Sequence, residues 1–302
     1  MVPQPVFPLE LEREIFEIAA LSDSSTLPSL LRVARRVLEW IEPLLYRVVV
    51  LDGSARAQAC HRVLELKPTV LAIGVQHLFL NGSPKWEEED VHSLLRLCAP
   101  QLLSLAVVAP LQQPALIPIL LHMVQLRRWV GSLKSLFGSY SAIDLSLPCF
   151  RTVTHMDIFD DITDDSEGVL CAALTALPCL THLCLNGDTL DLVPRLLVQC
   201  AQIQVVVSMH IGINRARDIA ANPPTADTRF VVSRTAEEFI AGKRRGEIEA
   251  SCNLLEHLIL RDLHNSGNDS VTRCLGRREG YIIATLSTNA RFKPGPTITV
   301  LD

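Results

Sequence analysis

The sequence predicts an α/β fold: a solenoid with a parallel sheet, preceded by a small all-α head. Three observations carry this expectation. The first fifty residues hold short amphipathic helical stretches and little else. A triple of apolar residues at spacings of three and two then recurs along the chain, and the stretches between triples have helical periodicity. Residues 1–50 are read as the head, 51–262 as the repeating α/β domain, and 263–302 as an irregular tail or cap.

In the head, Pro8 suits the first turn of a helix, where its missing N–H costs nothing, and Glu10, Glu12 and Glu14 favour the positive end of the dipole. Leu11, Ile15 and Ala19 fall on one face, with Phe16 and Ala20 beside them. Ser24, Ser25 and Thr26 are capping candidates, and Pro28 sits early in the next helix. That helix is expected to run on with Leu30, Leu31, Ala34, Val37, Leu38 and Ile41 as its stripe, Arg35–Glu39 as an i,i+4 pair, and Glu42-Pro43 as its stop. Two helices of about 35 residues cannot bury enough surface alone, so they must dock on this chain or another.

The triples begin at Val75 (with Leu78, Leu80), Leu102 (Leu105, Val107), Leu133 (Leu136, Gly138) and Val153 (Met156, Ile158). They return at Leu180 (Leu183, Leu185), Ile203 (Val206, Ser208) and Leu255 (Leu258, Leu260). The last interval is close to two periods, and Phe230-Val231-Val232 lies where the missing strand should be. Intervals of about 20–29 residues are those of leucine-rich repeats, in which a short strand and a helix or turn must pack on a neighbouring copy. Helices are expected over Glu88–Cys98, Glu167–Leu177 (capped by Asp165 or Ser166) and Leu190–Cys200. Tyr281–Thr285 reads as one strand within the tail.

The segments Phe7-Pro8-Leu9-Glu10, Ile15-Phe16, Leu31-Arg32-Val33-Ala34-Arg35-Arg36 and Leu45-Tyr46-Arg47-Val48 resemble the F-box-like motif of proteins abundant in mushroom-forming fungi. Asp227 to Val232 and the charged stretch Ala236 to Ala250 extend the likeness in layout to about residue 250. The resemblance implies an F-box-like head that inserts into the Skp-type adaptor subunit of a cullin-RING ubiquitin ligase. It implies Phe7, Pro8, Leu9, Ile15, Phe16, Leu31 and Val33 as the adaptor-facing residues, with the repeats binding an unknown target protein. Phe7, Ala34 and Val37 stand where the family commonly has Leu, Cys or Ser, and Trp. The alternative is an interaction scaffold whose head merely caps the array.

Of 302 residues, 48% are hydrophobic and 20% charged, which describes a chain that folds rather than a disordered one. A net charge of −5 gives no general affinity for nucleic acid or an anionic membrane. The start lacks a signal-peptide pattern and the most apolar run, 114–126, is too short to span a bilayer, so an intracellular protein, cytoplasmic or nuclear, is expected. Nine cysteines with no Cys-x-x-Cys pair are expected to be reduced and mostly buried.

No phosphate-binding loop, dinucleotide fingerprint, nucleophile elbow or His-Glu-x-x-His is present, so no catalytic residue, metal or cofactor is assigned. His77, His155, His182 and His257 share the third position of their triples, and His155 and His182 should stack within about 5 Å if the strands pair in register. Surface histidines are the favoured reading, a metal or pH-sensing ladder the sharper one. Asp157, Asp160, Asp161, Asp164, Asp165 and Glu167 lack the spacing of a calcium loop, and read as a solvated, helix-capping loop or a contact for a basic target. Phe79, Ala106, Phe137, Asp157, Cys184, Val207 and Ile259 form an apolar fifth-position row that should be covered, by the tail or by a partner. Phe79, Phe137, Asp157, Asp160 and Asp161 are the candidate target-binding residues.

Overall fold

In a computed structural model, the structure describes residues 7–51, 55–81, 86–108, 113–160, 162, 164–186, 190–210, 213–234 and 283–284. The chain is α/β, and the described strands that pair within a unit run parallel but for the last. It divides into two compact units, Met1–Leu126 and Arg127–Asp302.

The first unit opens with α1 (Leu9–Ser22), α2 (Leu27–Leu30) and α3 (Arg35–Ile41). The continuous second helix expected from Pro28 to Ile41 is broken. Leu31–Val33 form a turn and Ala34 is extended, at φ −160° and ψ 158°, so a fresh helix starts at Arg35. The apolar periodicity survives the break because both pieces face one small core. Val37 and Ile41 are fully buried there, with Ala20 and Leu27, and Phe16, Leu30, Leu31, Ala34, Trp40 and Leu44 pack around them. Arg36 ties α3 to α1 through Glu12 at 2.7 Å, and the expected Arg35–Glu39 pair forms at 3.2 Å. Pro43 ends the α-helix, and the chain tightens into a 3₁₀ turn over Glu42–Tyr46.

Strand β1 (Val48–Leu51) follows directly, and α4 (Ala55–Leu66) and α5 (Pro68–Gly74) lead to β2 (His77–Leu80). Helix α6 (Glu88–Cys98) occupies the expected residues and leads to β3 (Ser104–Val107), with α7 (Ile117–Leu120) closing the unit. The register runs Val48↔His77↔Ser104 and Leu51↔Leu80↔Val107. β1 was not foreseen as part of the array. The head is held on this sheet where the 3₁₀ turn meets α5. A Cβ on Gly74 would lie 2.3 Å from the Pro43 carbonyl oxygen, Lys67 reaches Glu42 at 2.7 Å, and Arg47 Nε donates to Gln76 at 3.0 Å.

The second unit holds β4 (Arg128–Gly131), α8 (Leu133–Phe137), β5 (His155–Ile158), α9 (Asp164–Thr175), β6 (His182–Asn186), α10 (Leu192–Gln199), β7 (Val205–His210), α11 (Ile213–Ala221) and β8 (Phe230–Arg234). β8 is the strand expected at Phe230. β9 (Ile283–Ala284), inside the strand expected at 281–285, pairs with β8 antiparallel. Sequence neighbours are sheet neighbours throughout, Trp129↔Met156↔Leu183↔Val206↔Phe230 forming one buried ladder and Ile158↔Leu185↔Ser208↔Val232 the next. Parallel strands joined by right-handed crossovers in an order that never reverses return their helices over one face of the sheet. Arg229 closes this unit's last turn by donating to the carbonyls of Leu197 and Ile203 while pairing with Asp227, whose carboxyl it holds below the usual range.

The triple read at Leu133 is not a strand. Leu133–Phe137 is α8, begun by Ser132, whose Oγ accepts from Ser135 N at 2.9 Å, and ended by Gly138 at φ 82°. A spacing of three suits a helix face as well as the strand pattern, so Leu133 and Leu136 are buried either way. The strand of that repeat lies earlier, where Leu126 and Trp129 hold the inward positions. The Leu255 triple and the helix 236–250 lie outside the described residues.

The Gly74–Pro43 contact makes a stability prediction. Gly74→Ala should lower the unfolding free energy by about 1–3 kcal/mol, because the added methyl meets backbone that has no rotamer to yield. Urea titration measures this, and an unchanged midpoint would show that the turn is not seated on α5.

Candidate functional site

Two places concentrate side chains that the fold itself does not need. The first is the outer surface of the head. Helix α1 is apolar on both sides: Phe16 and Ala20 turn toward Val37 and Ile41, where a small residue lets the helices approach, and this rolls Leu11, Ile15 and Ile18 outward. Leu11 and Ile15, expected on one face with Ala19, are thus exposed, while Phe16 and Ala20 beside them take the core side. Ile15 is 54% exposed and Ile18 56%, one and two turns from Leu11 on the same stripe. Phe7, Pro8 and Leu9 at the start of the helix, Leu21 near its end, and Val33 in the turn before α3 are exposed as well. Of the seven predicted adaptor-facing residues, Phe7, Pro8, Leu9, Ile15 and Val33 are thus at the surface, while Phe16 and Leu31 are half-buried against the head's core. Isolated surface leucines need no explanation, but a run of seven large apolar side chains within 27 residues does.

The second place is the sheet face of the second unit that carries the third and fifth positions. His155 and His182 stack with ring centroids 4.3 Å apart and planes within 5°, as the shared register requires. Thr154 Oγ1 donates to the Arg127 carbonyl at 3.1 Å and lies 2.8 Å from His155 Nδ1; Thr181 repeats both contacts with the Thr154 carbonyl and His182. A hydroxyl that gives its proton to the carbonyl accepts from Nδ1–H, which leaves the lone pair of each neutral imidazole on Nε2, whereas the other tautomer takes the hydroxyl proton at Nδ1. Parallel rings aim those lone pairs side by side instead of at one point. No group of three or more His, Cys, Asp or Glu among the described residues is placed to hold a metal ion. His77 uses the same position differently, meeting Ser104 at 2.9 Å in the first unit, and His257 lies outside the described residues.

One row further along, Asp157 is 2% exposed beside Cys184. Asn186 Nδ2 donates to its Oδ1 at 2.6 Å, whereas Oδ2 has no hydrogen-bond partner among the described residues. Burial pushes this carboxyl up to about 7, against the pull of Cys184 and Asn186. The same surroundings push the Cys184 thiol well above its ordinary value, burial first and Asp157 second, so it stays protonated. Of the other target-binding candidates, Phe79 is buried on β2, and Phe137 lies at the end of α8, outside the strand row, tilted against Phe150. Asp160 is committed to the start of α8: Ser132 Oγ donates to it at 2.6 Å, Leu133 N at 2.7 Å and Lys134 N at 3.0 Å. Asp161 lies outside the described residues. The fifth-position row is therefore a buried one at Phe79, Ala106, Asp157 and Cys184.

The described cysteines are unbridged and all but Cys179 buried, and burial raises the thiols of Cys60 and Cys149 to about 11 and Cys98 to about 12. Burial thus moves these thiols away from the depressed pKa of a nucleophile. No helix among the described residues is long and apolar enough to cross a membrane.

No family model matches the sequence, and no curated protein matches it. Among solved structures, the chain is similar to the tropomodulin C-terminal domain of Caenorhabditis elegans. The two share 12% identity at a TM-score of 0.33, over 48% of this chain and 91% of that one. A likeness that slight leaves the site to be read from its own residues.

Asp160 supplies a prediction that separates a capping carboxylate from a contact surface. Asp160→Ala should cost about 1–2 kcal/mol of stability, because three donors at the start of α8 lose their acceptor together. Thermal unfolding reads this out, and an unaltered Tm would return Asp160 to the pool of surface groups.

Proposed function

We propose that the chain is a non-catalytic substrate-recognition adaptor of a cullin-RING ubiquitin ligase. Its F-box-like head docks the Skp-type subunit, and its leucine-rich-repeat-like solenoid selects a protein target inside the cell. The observation that supports this reading best is the two-sided helix α1. A helix needed only to cap the array would turn one apolar face inward and a polar face to water. α1 instead keeps Leu11, Ile15 and Ile18 in solvent after its own core is complete, and Phe7, Leu9 and Val33 are exposed as well. Such a surface is what a helix-in-groove partner takes up.

The solenoid reading is supported by strand pairs that recur 27 residues apart, as at His77–Ser104 and Thr154–Thr181, and by the unbroken neighbour order within each unit. A scaffold whose head serves the array is favoured by one observation, the seating of Pro43 on Gly74, which fastens the head to the first strands. The two roles are compatible, since the fastening uses the 3₁₀ turn and leaves the outer stripe of α1 untouched.

Leu9→Asp combined with Ile15→Asp in the full chain is expected to leave thermal unfolding unchanged within about 0.5 kcal/mol, since both positions are exposed. The same pair should abolish capture of a purified Skp-type adaptor. Retention of capture by the double variant, or failure of the wild-type chain to bind that adaptor, counts against ligase docking and leaves the scaffold.

A further inference from the structure

Helix α1 carries four glutamates, and the head itself engages two of them. Glu12, one turn before the core residue Phe16, accepts from Arg36 on α3, Nε at 3.2 Å and Nη2 at 2.7 Å. Glu17 accepts from Arg13 Nε at 2.6 Å. Glu10 and Glu14 are exposed, and neither carboxyl has a hydrogen bond or ion pair among the described residues.

The surroundings of these two carboxyls differ. At about 100° per residue, Glu14 falls inside the outer apolar surface of the helix. Leu11 lies three residues before it, Ile18 four after it and Leu21 seven after it, and all three are exposed. Glu10 falls instead with Glu17 on the polar flank, beside Arg13. A groove that closes over Leu11, Ile15 and Ile18 therefore takes Glu14 out of water with them. A carboxylate desolvated in this way opposes docking unless a positive side chain meets it. Arg13 does not supply that charge, because adjacent helical residues face different sides and its guanidinium is held by Glu17.

We propose that the partner of α1 is an apolar groove with one lysine or arginine set in its wall, and that Glu14 selects for that cation. The inference rests on the docking reading given above, in which the groove belongs to the Skp-type adaptor. The apolar stripe supplies contact area, and Glu14 fixes how the helix is rolled in the groove. Rolling α1 toward its Glu12 side withdraws the Glu14 carboxyl and leaves the buried cation unpaired.

Isothermal titration of the full chain with a purified Skp-type adaptor tests this, using wild type, Glu14→Leu, Glu14→Gln and Glu10→Gln. Leu and Gln propagate a helix about as well as Glu and position 14 is exposed, so an unaltered Tm serves as the folding control. Glu14→Leu extends the apolar stripe, so the sign of its effect is informative. A groove without a cation binds this variant more tightly than the wild type, and a groove with one binds it more weakly. The expected result is a Kd raised about tenfold or more by Glu14→Leu and by Glu14→Gln, and by less than about threefold by Glu10→Gln. A smaller loss, no loss or a gain in Glu14→Leu, a loss confined to Glu14→Leu, or an equal loss in Glu10→Gln overturns selection by Glu14 while docking stands. A wild-type chain that does not bind the adaptor overturns the docking reading, and this inference with it.

Discussion

The structure depends on one constraint: no strand here can bury its own side chains. Each strand is four to six residues long in the parallel array and offers two or three inward positions. They become a core only when the next strand brings its own to the same register. The ladder Trp129–Met156–Leu183–Val206–Phe230 is that condition met four times over, and each of its members is buried. The same register also aligns what is not apolar. Stacked His155 and His182, and paired Asp157 and Cys184, are consequences of the repeat before they are anything else. A polar residue at an aligned position is either bonded along the row, as the Thr–His pairs are, or left with a deficit, as Asp157 is.

The head obeys a different economy of surface. Its core is small, four buried residues and six partly buried ones, and it is completed without the outer stripe of α1. Its attachment is mostly backbone against backbone, Pro43 on Gly74, with the Lys67–Glu42 pair at the rim. An exposed pair of that kind adds little stability, so the seating must come from the close approach. The division is local: the 3₁₀ turn holds the head to the chain, and the outer side of α1 stays exposed.

Much of this was legible in the sequence, and the failures have identifiable causes. Helix α6 was readable to the residue because three acidic residues open it and its apolar stripe is unbroken. The strand at Phe230 was readable from the period alone, although its own triple is incomplete. The triple at Leu133 misled because Leu-x-x-Leu satisfies both periodicities, and the signals that decide for a helix were Ser132 just before the triple and Gly138, which the triple took as its own last position. The rotation of α1 was hidden because both of its sides are apolar, so only the partner surface of Val37 and Ile41 selects which one goes inward. The break at Leu31–Ala34 left no mark, because the apolar spacing continues across it. Residue types placed Asp157 and Asp160 in one acidic cluster. Position separated them, since one carboxyl caps a helix and the other is sealed beside a thiol.

The central claim is that the outer side of α1 is a docking surface, and amide hydrogen exchange on the full chain with and without a purified Skp-type adaptor tests it most directly. Protection is predicted in Leu9–Ser22 and in the turn that carries Val33, with the strands of both units unchanged. Binding that leaves α1 exchanging freely, or protection that falls on the sheet and not on the head, would contradict it.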